Sequence, residues 1–308
     1  MKYLVTGGAG FIGSNLVDEL INRGDQVIVI DNLSTGKKEN LNPKAEFYNL
    51  DICDFEKIKP LFSSVDYVFH LAAVPRVLFS VQNPVESSKI NILGTINVFK
   101  ASADSGVKRV IFYSSSAVYG DQKHMPIKET AEKNPLSPYG MQKLAGEQFA
   151  KLFVDLYKIP IICLRFFNIY GPRIDFDSDY GLVIGKFLYL KSQNKPLTIF
   201  SDGNQTRGFC YVSDIVDASM KAMESEKLEG GEIINISGEE SYSVNHLAEL
   251  IGGEVNHLPP REGDPINTQA DIGLAKSLLQ WEPRDSLEEG IKKTKQWLEN
   301  YMDYKNKI

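Results

Sequence analysis

A glycine turn near the start of the chain constrains the fold more than any other feature. Gly7, Gly10 and Gly13 form the pattern Gly-x-x-Gly-x-x-Gly directly after an apolar run at residues 2–5 and at the start of a helical pattern at residues 11–22. Residues without side chains let a backbone turn sharply and approach a pyrophosphate, whose charge the amides of a helix start stabilise. The spacing therefore predicts that these three glycines bind a dinucleotide.

Short runs rich in Val, Ile, Tyr and Phe alternate with longer helical patterns through the first half of the chain, as in βαβ units. The predicted strands lie at residues 2–5, 27–30, 46–49, 67–70, 109–113 and 161–165. The predicted helices lie at residues 11–22, 54–62, 84–104 and 138–157. Because these strands are mostly apolar without alternation, helices should cover both faces of the sheet. We predict an α/β fold, a doubly wound parallel (Rossmann) sheet with a smaller C-terminal α/β region.

The pattern loosens after Gly171-Pro172 into turns, short strands and separate helices near residues 214–222, 244–251, 273–279 and 287–302. We predict that residues 1–167 form the dinucleotide-binding domain, and that residues 168–208 and 237–308 form a second, substrate-binding region. Residues 209–236 are expected to return to the first domain, with 209–212 and 232–236 joining its sheet.

Composition excludes several classes of protein. The 308 residues are 43% hydrophobic and 24% charged, as in an ordinary globular chain rather than a disordered one. Forty acidic residues against 34 basic ones give a net charge of −6 without a basic cluster, which argues against nucleic acid as a partner. No stretch approaches the roughly 18 consecutive apolar residues of a membrane span. The start of the chain lacks the apolar region of a signal peptide, so we expect a cytoplasmic protein.

Metal binding is not expected. Cys53, Cys163 and Cys210 show no Cys-x-x-Cys spacing and are predicted to be buried thiols. The four histidines include no pair with the spacing of metal ligands. We therefore predict no bound metal ion.

An acidic residue ends the second predicted strand. Asp31 follows Gly13 by eighteen residues, and a carboxylate there can accept hydrogen bonds from an adenosine ribose while repelling a 2′-phosphate, which favours NAD over NADP. Asp51 and Ile52 follow the next strand and could flank the adenine. The segment after the fourth strand, Leu71, Ala72 and Ala73, offers small residues that would let the dinucleotide lie close to the backbone.

Tyr139 and Lys143 form a Tyr-x-x-x-Lys pattern on a predicted helix. Their i, i+4 spacing puts the phenol and the ammonium on one face, where the cation favours phenolate and moves the pKa of the tyrosine towards a useful range for a base. The lysine could also hold the nicotinamide ribose. Upstream, three serines at residues 114–116 end the fifth predicted strand, at the sheet edge where open α/β folds bind ligands. One of their hydroxyls could bridge the substrate and Tyr139.

In these residues and their order the chain resembles the extended short-chain dehydrogenase/reductase superfamily, and within it the NAD-dependent nucleotide-sugar epimerases. The resemblance covers nearly the whole length and rests on four motifs: the glycine turn, the serine run, Tyr139-x-x-x-Lys143 and the block at residues 203–214. It implies C4 epimerisation of a UDP-hexose such as UDP-glucose or UDP-galactose, through a transient 4-keto sugar and NADH. It also implies a homodimer formed by helices near residues 84–104 and 138–157.

The resemblance assigns further roles residue by residue. It implies Ser115 as the catalytic hydroxyl, with Ser116 as an open alternative that also lies on the substrate side. The cofactor residues it adds are Phe11, Ile12, Asn32, Asn91 and Phe167. The substrate residues it adds are Asn168 for the phosphates, Phe200 for the base, Arg207 and Arg261 for the diphosphate, Asp264 for the ribose, and Thr268 beside the sugar.

Two positions bear on specificity. Thr268 stands where bulky and small side chains in relatives separate sugars without and with an N-acetyl group, so a threonine implies tolerance for UDP-N-acetylglucosamine and UDP-N-acetylgalactosamine. Gly208 stands where many relatives carry Asp, which leaves the local support of Arg207 in question.

Three rival functions are considered. Sugar 4,6-dehydration is disfavoured because Ser116 and Ala117 occupy positions where dehydratases carry an Asp-Glu pair. Epimerisation or decarboxylation of a UDP-uronic acid stays open, with Arg76 as a candidate cation for the carboxylate. A non-catalytic NAD-binding regulator could share the fold, but it would need no Ser115, Tyr139 and Lys143.

Overall fold

The predicted strands of the first half assemble into one parallel sheet. The computed structural model describes residues 1–176, 182–259 and 267–305. Within them the main sheet has seven strands in the order β10-β6-β5-β4-β1-β2-β3, all pairs parallel. Its strands are β1 Lys2–Thr6, β2 Gln26–Ile30, β3 Glu46–Tyr48, β4 Tyr67–His70, β5 Arg109–Ser115, β6 Ile161–Phe166 and β10 Ile233–Ile236. The order reverses between β1 and β4, and ligands of open α/β sheets bind at such a switch point.

Helices cover both faces of the main sheet because the strands carry apolar side chains on both. The helices of the first half are α1 Phe11–Asn22, α2 Phe55–Ile58, α3 Val77–Gln82, α4 Pro84–Ser88, α5 Thr95–Asp104 and α6 Pro138–Tyr157. On β1, Tyr3 and Val5 pack in one buried cluster and Leu4 packs in the other. The predicted doubly wound parallel sheet is thereby confirmed.

Two smaller sheets follow. Within the described residues, β7 Asn168–Tyr170, β9 Thr206–Tyr211, β11 Ser241–Ser243 and β13 Asn267–Thr268 form one, and β8 Leu197–Phe200 pairs with β12 Val255–Leu258 in the other. The helices of this half are α7 Val183–Ser192, α8 Val212–Glu224, α9 Val244–Ile251 and α10 Leu287–Lys305.

One expectation about the sheets is corrected. Residues 232–236 do supply an edge strand of the main sheet, beside β6. Residues 209–211 instead belong to β9 in the smaller sheet, where they pair with β7, and Val212 already begins α8. The division of the chain into two binding regions remains a prediction.

Two predicted helices are interrupted. The expected helix at residues 84–104 contains a π-helical segment, Lys89–Gly94, between α4 and α5. The expected helix at residues 54–62 is α2 followed by a 3₁₀ turn at Lys59–Phe62, which contains Pro60. The sequence prediction included neither α3 nor α7.

Cysteine burial also differs from the prediction at one position. Cys163 and Cys210 are buried, but Cys53 is partly exposed, and its thiol contacts the carbonyl oxygen of Lys89 at 3.4 Å. In the described part of the chain, no helix combines the length and the apolar character needed to cross a membrane.

Candidate active site

The glycine turn joins β1 to α1 at the carboxyl edge of the main sheet. Gly7 has a φ of +75°, and its amide donates a 2.8 Å hydrogen bond to the carbonyl oxygen of Ile30 on β2. A Cβ on Gly13 would lie 2.2 Å from the carbonyl oxygen of Gly7, so no side chain fits there. α1 begins after Gly10 without a side-chain cap. The backbone amides of this first turn are thus arranged as a pyrophosphate requires.

The loop after β4 packs against this turn. A Cβ on Gly7 would lie 2.8 Å from the amide nitrogen of Ala72, so the missing side chain permits the contact. The amide of Leu71 donates to the carbonyl oxygen of Thr6 at 3.1 Å, and the amide of Ala72 donates to the Thr6 hydroxyl at 3.2 Å. The predicted cofactor residues of the glycine turn and of the loop after β4 therefore lie together at the carboxyl edge of the main sheet. Ala73 is the next residue of the second loop.

His70 contacts the Thr6 hydroxyl that holds this loop. Its Nδ1 lies 2.7 Å from the Thr6 hydroxyl, and its Nε2 lies 3.0 Å from the hydroxyl of Thr95. Because Thr95 donates its own proton to the carbonyl oxygen of Asn91 at 2.8 Å, it accepts from Nε2–H, and Nδ1 accepts from Thr6. Burial, together with the charge of Lys143, lowers the pKa of His70 to about 3, so the ring is neutral.

Asp31 lies at the end of β2, beside the glycine turn. Its carboxylate accepts hydrogen bonds from the amides of Ala9 at 3.0 Å and Leu33 at 2.8 Å. Burial raises the pKa of Asp31, and these two hydrogen bonds partly offset that effect. The carboxylate is thus fixed in position beside the turn.

A second carboxylate follows the next strand. Asn32 is exposed and donates to the Asp51 carboxylate at 3.0 Å, which connects the loops after β2 and β3. Ile52 is buried, and a Cβ on Gly94 would lie 2.5 Å from its Cδ1. Ile52 therefore packs against the π-helical segment, whereas the carboxylate of Asp51 accepts the hydrogen bond from Asn32.

Asn91 lies in the π-helical segment and is buried. Its side chain accepts from the amide of Val74 at 2.8 Å and donates to the carbonyl oxygen of Val74 at 3.1 Å. It also donates to the side chain of Gln142 on α6 at 2.7 Å. One amide therefore connects the loop after β4 with the helix that carries Tyr139 and Lys143. Such π-helical segments are frequent at functional sites.

Tyr139 lies in the first turn of α6, and its side chain is buried. Burial raises the pKa of the phenol to about 12, and a hydrogen bond with Ser115 opposes that effect. Ser115 ends β5, and its hydroxyl oxygen also accepts from the amide of Ala117 at 3.1 Å. The phenol of Tyr139 and the hydroxyl of Ser115 are therefore direct neighbours.

Lys143 faces the same site from the next turn of α6. Its ammonium nitrogen lies 6.0 Å from the centre of the Tyr139 ring and 5.0 Å from the centre of the Phe112 ring. It donates a 2.7 Å hydrogen bond to the carbonyl oxygen of Tyr113. Burial lowers the pKa of Lys143 to about 8, which the nearby Glu147 partly opposes.

Gly140 lets α6 approach the serine turn. A Cβ at this position would lie 2.4 Å from the carbonyl oxygen of Ala117 and 2.9 Å from the side chain of Pro135. Since Ala117 is two residues beyond Ser115, Gly140 permits a close contact between the helix that carries Tyr139 and the turn that follows Ser115.

The side chains of the three serines at residues 114–116 lie in different surroundings. Ser114 is buried and donates to the Glu147 carboxylate at 2.6 Å, on the interior side of β5. Ser115 contacts Tyr139, and Ser116 begins a 3₁₀ turn at Ser116–Val118.

Three of the predicted substrate residues in the described chain, Asn168, Arg207 and Thr268, come from separate stretches of sequence and lie in the same four-stranded sheet. Asn168 on β7 donates to the carbonyl oxygen of Gly208 on β9 at 3.1 Å. Arg207 on β9 lies opposite Thr268 on β13, and Thr268 is buried with its hydroxyl lacking a partner among the described residues. Phe200 ends β8, and its carbonyl oxygen accepts from Gln205 at 2.8 Å. Phe167 is buried just before β7. Arg261 and Asp264 lie outside the described residues.

Two contacts to α6 were missed by the sequence analysis. The amide of Tyr139 donates to the hydroxyl of Ser80 on α3 at 3.1 Å, and Gln142 donates to the hydroxyls of Ser87 at 2.9 Å and Ser88 at 3.1 Å. Gln142 lies inside the Tyr-x-x-x-Lys pattern, but its serine partners could not be predicted because they depend on how α4 packs against α6. Within the described residues, no group of three His, Cys, Asp or Glu side chains could hold a metal ion.

Comparison with known proteins agrees with this geometry. The model of the NAD dependent epimerase/dehydratase family matches residues 3–237. A Methanocaldococcus jannaschii protein provisionally described as a UDP-glucose 4-epimerase is 44% identical over 307 residues, covering 96% of this chain and 98% of that protein. UDP-glucuronic acid decarboxylase 1 of Arabidopsis thaliana is 35% identical over 324 residues, covering 100% of this chain and 71% of that protein. The crystal structure of Thermotoga maritima UDP-glucose 4-epimerase with UDP-glucose superposes with a TM-score of 0.94 at 40% identity, covering 98% of this chain and 100% of that one.

The chain therefore belongs to the NAD dependent epimerase/dehydratase family and is an enzyme of that family. The resemblance noted in the sequence is confirmed, as is NAD as the cofactor. The residues present fit NAD, because the glycines let the turn from Gly7 to Gly13 fold tightly at the start of α1, and the Asp31 carboxylate lies beside that turn.

Proposed function

We propose that this enzyme interconverts the C4 epimers of a UDP-hexose, with UDP-glucose and UDP-galactose as substrates and the corresponding N-acetylhexosamines as further ones. The observation that carries the proposal is the buried phenol of Tyr139 near Ser115, with the ammonium of Lys143 6.0 Å from the centre of the same ring, at the sheet edge that also holds the glycine turn. A phenol and a hydroxyl placed together can pass a proton to and from a sugar hydroxyl. The UDP-glucose 4-epimerase similar to this chain supports the choice of sugar nucleotide.

In this proposal the chain's own residues manage the proton. Ser115 contacts the 4-hydroxyl of the sugar. In the complex with NAD and substrate, Tyr139 acts as the phenolate, takes the sugar proton through Ser115 and later returns it. Lys143 contributes positive charge that favours the phenolate. NAD, when bound, supplies the redox chemistry by accepting a hydride from C4 and returning it to the opposite face. Because the hydride is returned, the reaction needs no external oxidant.

The nucleotide side of the substrate is assigned to the second region. Asn168 and Arg207 would contact the phosphates, and Phe200 would stack on the base. A guanidinium group suits a diphosphate because it donates two parallel hydrogen bonds. Residues 168–208 and 237–308 would therefore hold the UDP moiety while the released sugar ring turns over.

Conversion of a UDP-uronic acid is the second candidate, since a UDP-glucuronic acid decarboxylase is 35% identical to this chain. A substrate carboxylate would need a cation, and Arg76 is the candidate that the sequence offers. Arg76 already donates to the Asp175 carboxylate at 3.1 Å, so a uronate would have to compete with that carboxylate. The epimerase proposal needs no such exchange.

A panel of UDP-sugars tests the proposal. Purified enzyme is incubated separately with UDP-glucose, UDP-galactose, UDP-N-acetylglucosamine and UDP-glucuronic acid, and the products are separated by chromatography. We expect C4 epimers from the neutral sugars and no loss of carbon dioxide from UDP-glucuronic acid. A UDP-pentose as the main product would replace the proposal with the decarboxylase, and no product from any sugar would overturn it.

A further inference from the structure

A buried ion pair lies beneath the candidate active site. The guanidinium of Arg165 on β6 donates to both carboxylate oxygens of Glu147 on α6, with Nε to Oε1 at 2.8 Å and one terminal nitrogen to Oε2 at 2.6 Å. The side chains of Arg165 and Glu147 are 1% and 0% exposed. A pair so fully withdrawn from water is costly unless its remaining polar atoms are satisfied.

Further polar groups satisfy both members of the pair. The Ser114 hydroxyl donates to Oε1 of Glu147 at 2.6 Å. Arg165 also donates to the phenol oxygen of Tyr119 at 2.8 Å, and Tyr119 in turn donates to Asn235 at 2.6 Å. Arg165 and Ser114 thus give both carboxylate oxygens of Glu147 a hydrogen-bond donor.

Glu147 is placed to act on Lys143. It follows Lys143 by four residues on α6, so the two side chains lie on the same helix face. The titratable groups that face Lys143 are Tyr139 and Glu147 on its own helix, His70 on β4 and Cys163 on β6. His70 is neutral, and burial keeps the pKa of Cys163 well above its usual value. Glu147 is therefore the anion in this set.

We infer that Glu147 is a positioning residue for the proposed reaction: fixed by Arg165 and Ser114, it keeps Lys143 protonated beside Tyr139. Lys143 is buried, which disfavours an ammonium ion, and the hydrogen bond to the carbonyl oxygen of Tyr113 and the contact with the Phe112 ring only partly offset that cost. Glu147 supplies the opposing negative charge without contacting substrate or cofactor.

The inference rests on the proposed function, because it assumes that the charge of Lys143 serves the reaction. Its test therefore includes a measurement that does not depend on turnover. In full-length enzyme with NAD bound and lysines labelled with ¹³C at Cε, the resonance of Lys143 is assigned by its loss in Lys143→Ala. Its titration then reports the pKa of the ammonium directly.

Two variants of one residue separate charge from structure. Glu147→Gln removes the negative charge, and Glu147→Asp keeps it while changing the geometry with Arg165. We expect the pKa of Lys143 to fall by about one unit or more in Glu147→Gln, since that is the usual effect of losing a nearby opposite charge. We expect it to stay close to the wild-type value in Glu147→Asp. The alkaline limb of kcat against pH should move to lower pH in Glu147→Gln only.

The outcomes distinguish the two claims. Equal Lys143 titrations in wild type and Glu147→Gln would overturn the inference and leave Glu147 with a structural role. A wild-type enzyme that turns over no UDP-sugar would overturn the proposed function, while the titration would still decide the role of Glu147.

A second variant covers the case in which Glu147→Gln does not fold. Replacing both members of a buried pair with apolar residues is often neutral for stability, so Glu147→Leu with Arg165→Leu should fold. This double variant removes the carboxylate of Glu147 together with the guanidinium paired with it, so the pKa of Lys143 should fall in it as well, but by less than in Glu147→Gln. An unchanged titration there would contradict the inference equally.

Discussion

The ammonium nitrogen of Lys143 lies 2.7 Å from the carbonyl oxygen of Tyr113 and donates a hydrogen bond to it. This contact holds the cation 6.0 Å from the centre of the Tyr139 ring. The sequence suggested that the cation would move the pKa of the tyrosine into a useful range. In the structure burial has the larger effect and raises that pKa to about 12. The phenol is therefore protonated in the enzyme without ligands.

Replacing Tyr139 with Phe tests whether this phenol moves the proton. General acid–base catalysis by one side chain contributes about 10²- to 10⁴-fold, so kcat for UDP-glucose should fall by at least about 10²-fold. NAD binding should persist, because the ring and its packing are retained. Turnover is measured by product chromatography and NAD content by absorbance after denaturation. Tyr157→Phe, at the end of the same helix, is the control, and normal turnover in Tyr139→Phe would remove the phenol from the mechanism.

Ser115→Ala and Ser116→Ala decide between the two candidate hydroxyls. Ser115 contacts Tyr139, whereas Ser116 begins the following 3₁₀ turn. A hydrogen bond to a charged group contributes about 1.5–3 kcal/mol, so kcat should fall by about 10- to 100-fold in Ser115→Ala. Ser116→Ala should change kcat much less. The reverse ranking in steady-state assays would make Ser116 the catalytic hydroxyl.

Thr268→Tyr tests the proposed sugar gate. Thr268 is buried opposite Arg207, and a tyrosine there would fill the space that an N-acetyl group needs. We expect kcat/KM for UDP-N-acetylglucosamine to fall by about tenfold or more while UDP-glucose is still turned over, because pocket volume discriminates by about 1–3 kcal/mol. Thr268→Val, which keeps the size, is the control. If N-acetylated turnover is unchanged in Thr268→Tyr, residue 268 is not the gate.

His70 predicts how stability changes in acid. Its folded pKa of about 3 lies below the ordinary value of 6.5. As the pH falls from 6.5 to 3, His70 therefore becomes protonated in the unfolded chain but stays neutral in the folded one. The free energy of unfolding should decrease by about 1.4 kcal/mol per pH unit in that window from this residue. Urea melts at several pH values measure it.

The matched variants for this prediction are His70→Leu and His246→Gln. His70→Leu should be less stable near pH 8, because Thr6 and Thr95 lose their partner, yet it should show a shallower pH dependence than wild type. His246, on α9, has a side chain that is 39% exposed, and His246→Gln is the control for removal of a histidine outside this buried site. A His70→Leu slope equal to that of wild type would mean that the ring takes up its proton in the folded state.

We expect the chain to form a homodimer through α5 and α6 and the helical turns beside them. Apolar side chains are exposed there, including Val85 at 83%, Leu156 at 72% and Met141 at 54%. Exposed apolar patches of this kind mark interaction surfaces. Sedimentation should give twice the mass of 34.5 kDa for wild type and the monomer mass for Val85→Asp with Leu156→Asp. Leu274→Asp, elsewhere on the surface, should stay dimeric, and a monomeric wild type would refute the expectation.

The parts of the fold that follow from local pattern could be predicted from the sequence. The glycine turn, the helix at residues 11–22 and the first six strands lie where periodicity indicated, because buried parallel strands are continuously apolar. The π-helical segment could not be foreseen, since Asn91 turns inward to reach Val74 and Gln142, which are distant in sequence. The placement of residues 209–211 depended on pairing with β7, a tertiary contact that no local pattern contains.

In the candidate site, too, some features follow from local spacing and others depend on tertiary contacts. Tyr139 and Lys143 share a helix, so their spacing alone predicted their proximity. The resemblance implied Ser115 with Ser116 as an alternative, and only the structure shows that Ser114 points to the interior, where it donates to Glu147. Arg207 and Thr268 are 61 residues apart in the chain and meet only because β9 and β13 pair.

The glycine that follows Tyr139 limits how this enzyme can be redesigned. Any amino acid with a side chain at position 140 would collide with backbone at Ala117, and relief of that collision would displace α6 or the serine turn, the two elements that carry Tyr139 and Ser115. A library meant to alter sugar preference should hold codon 140 constant and randomise position 268 instead.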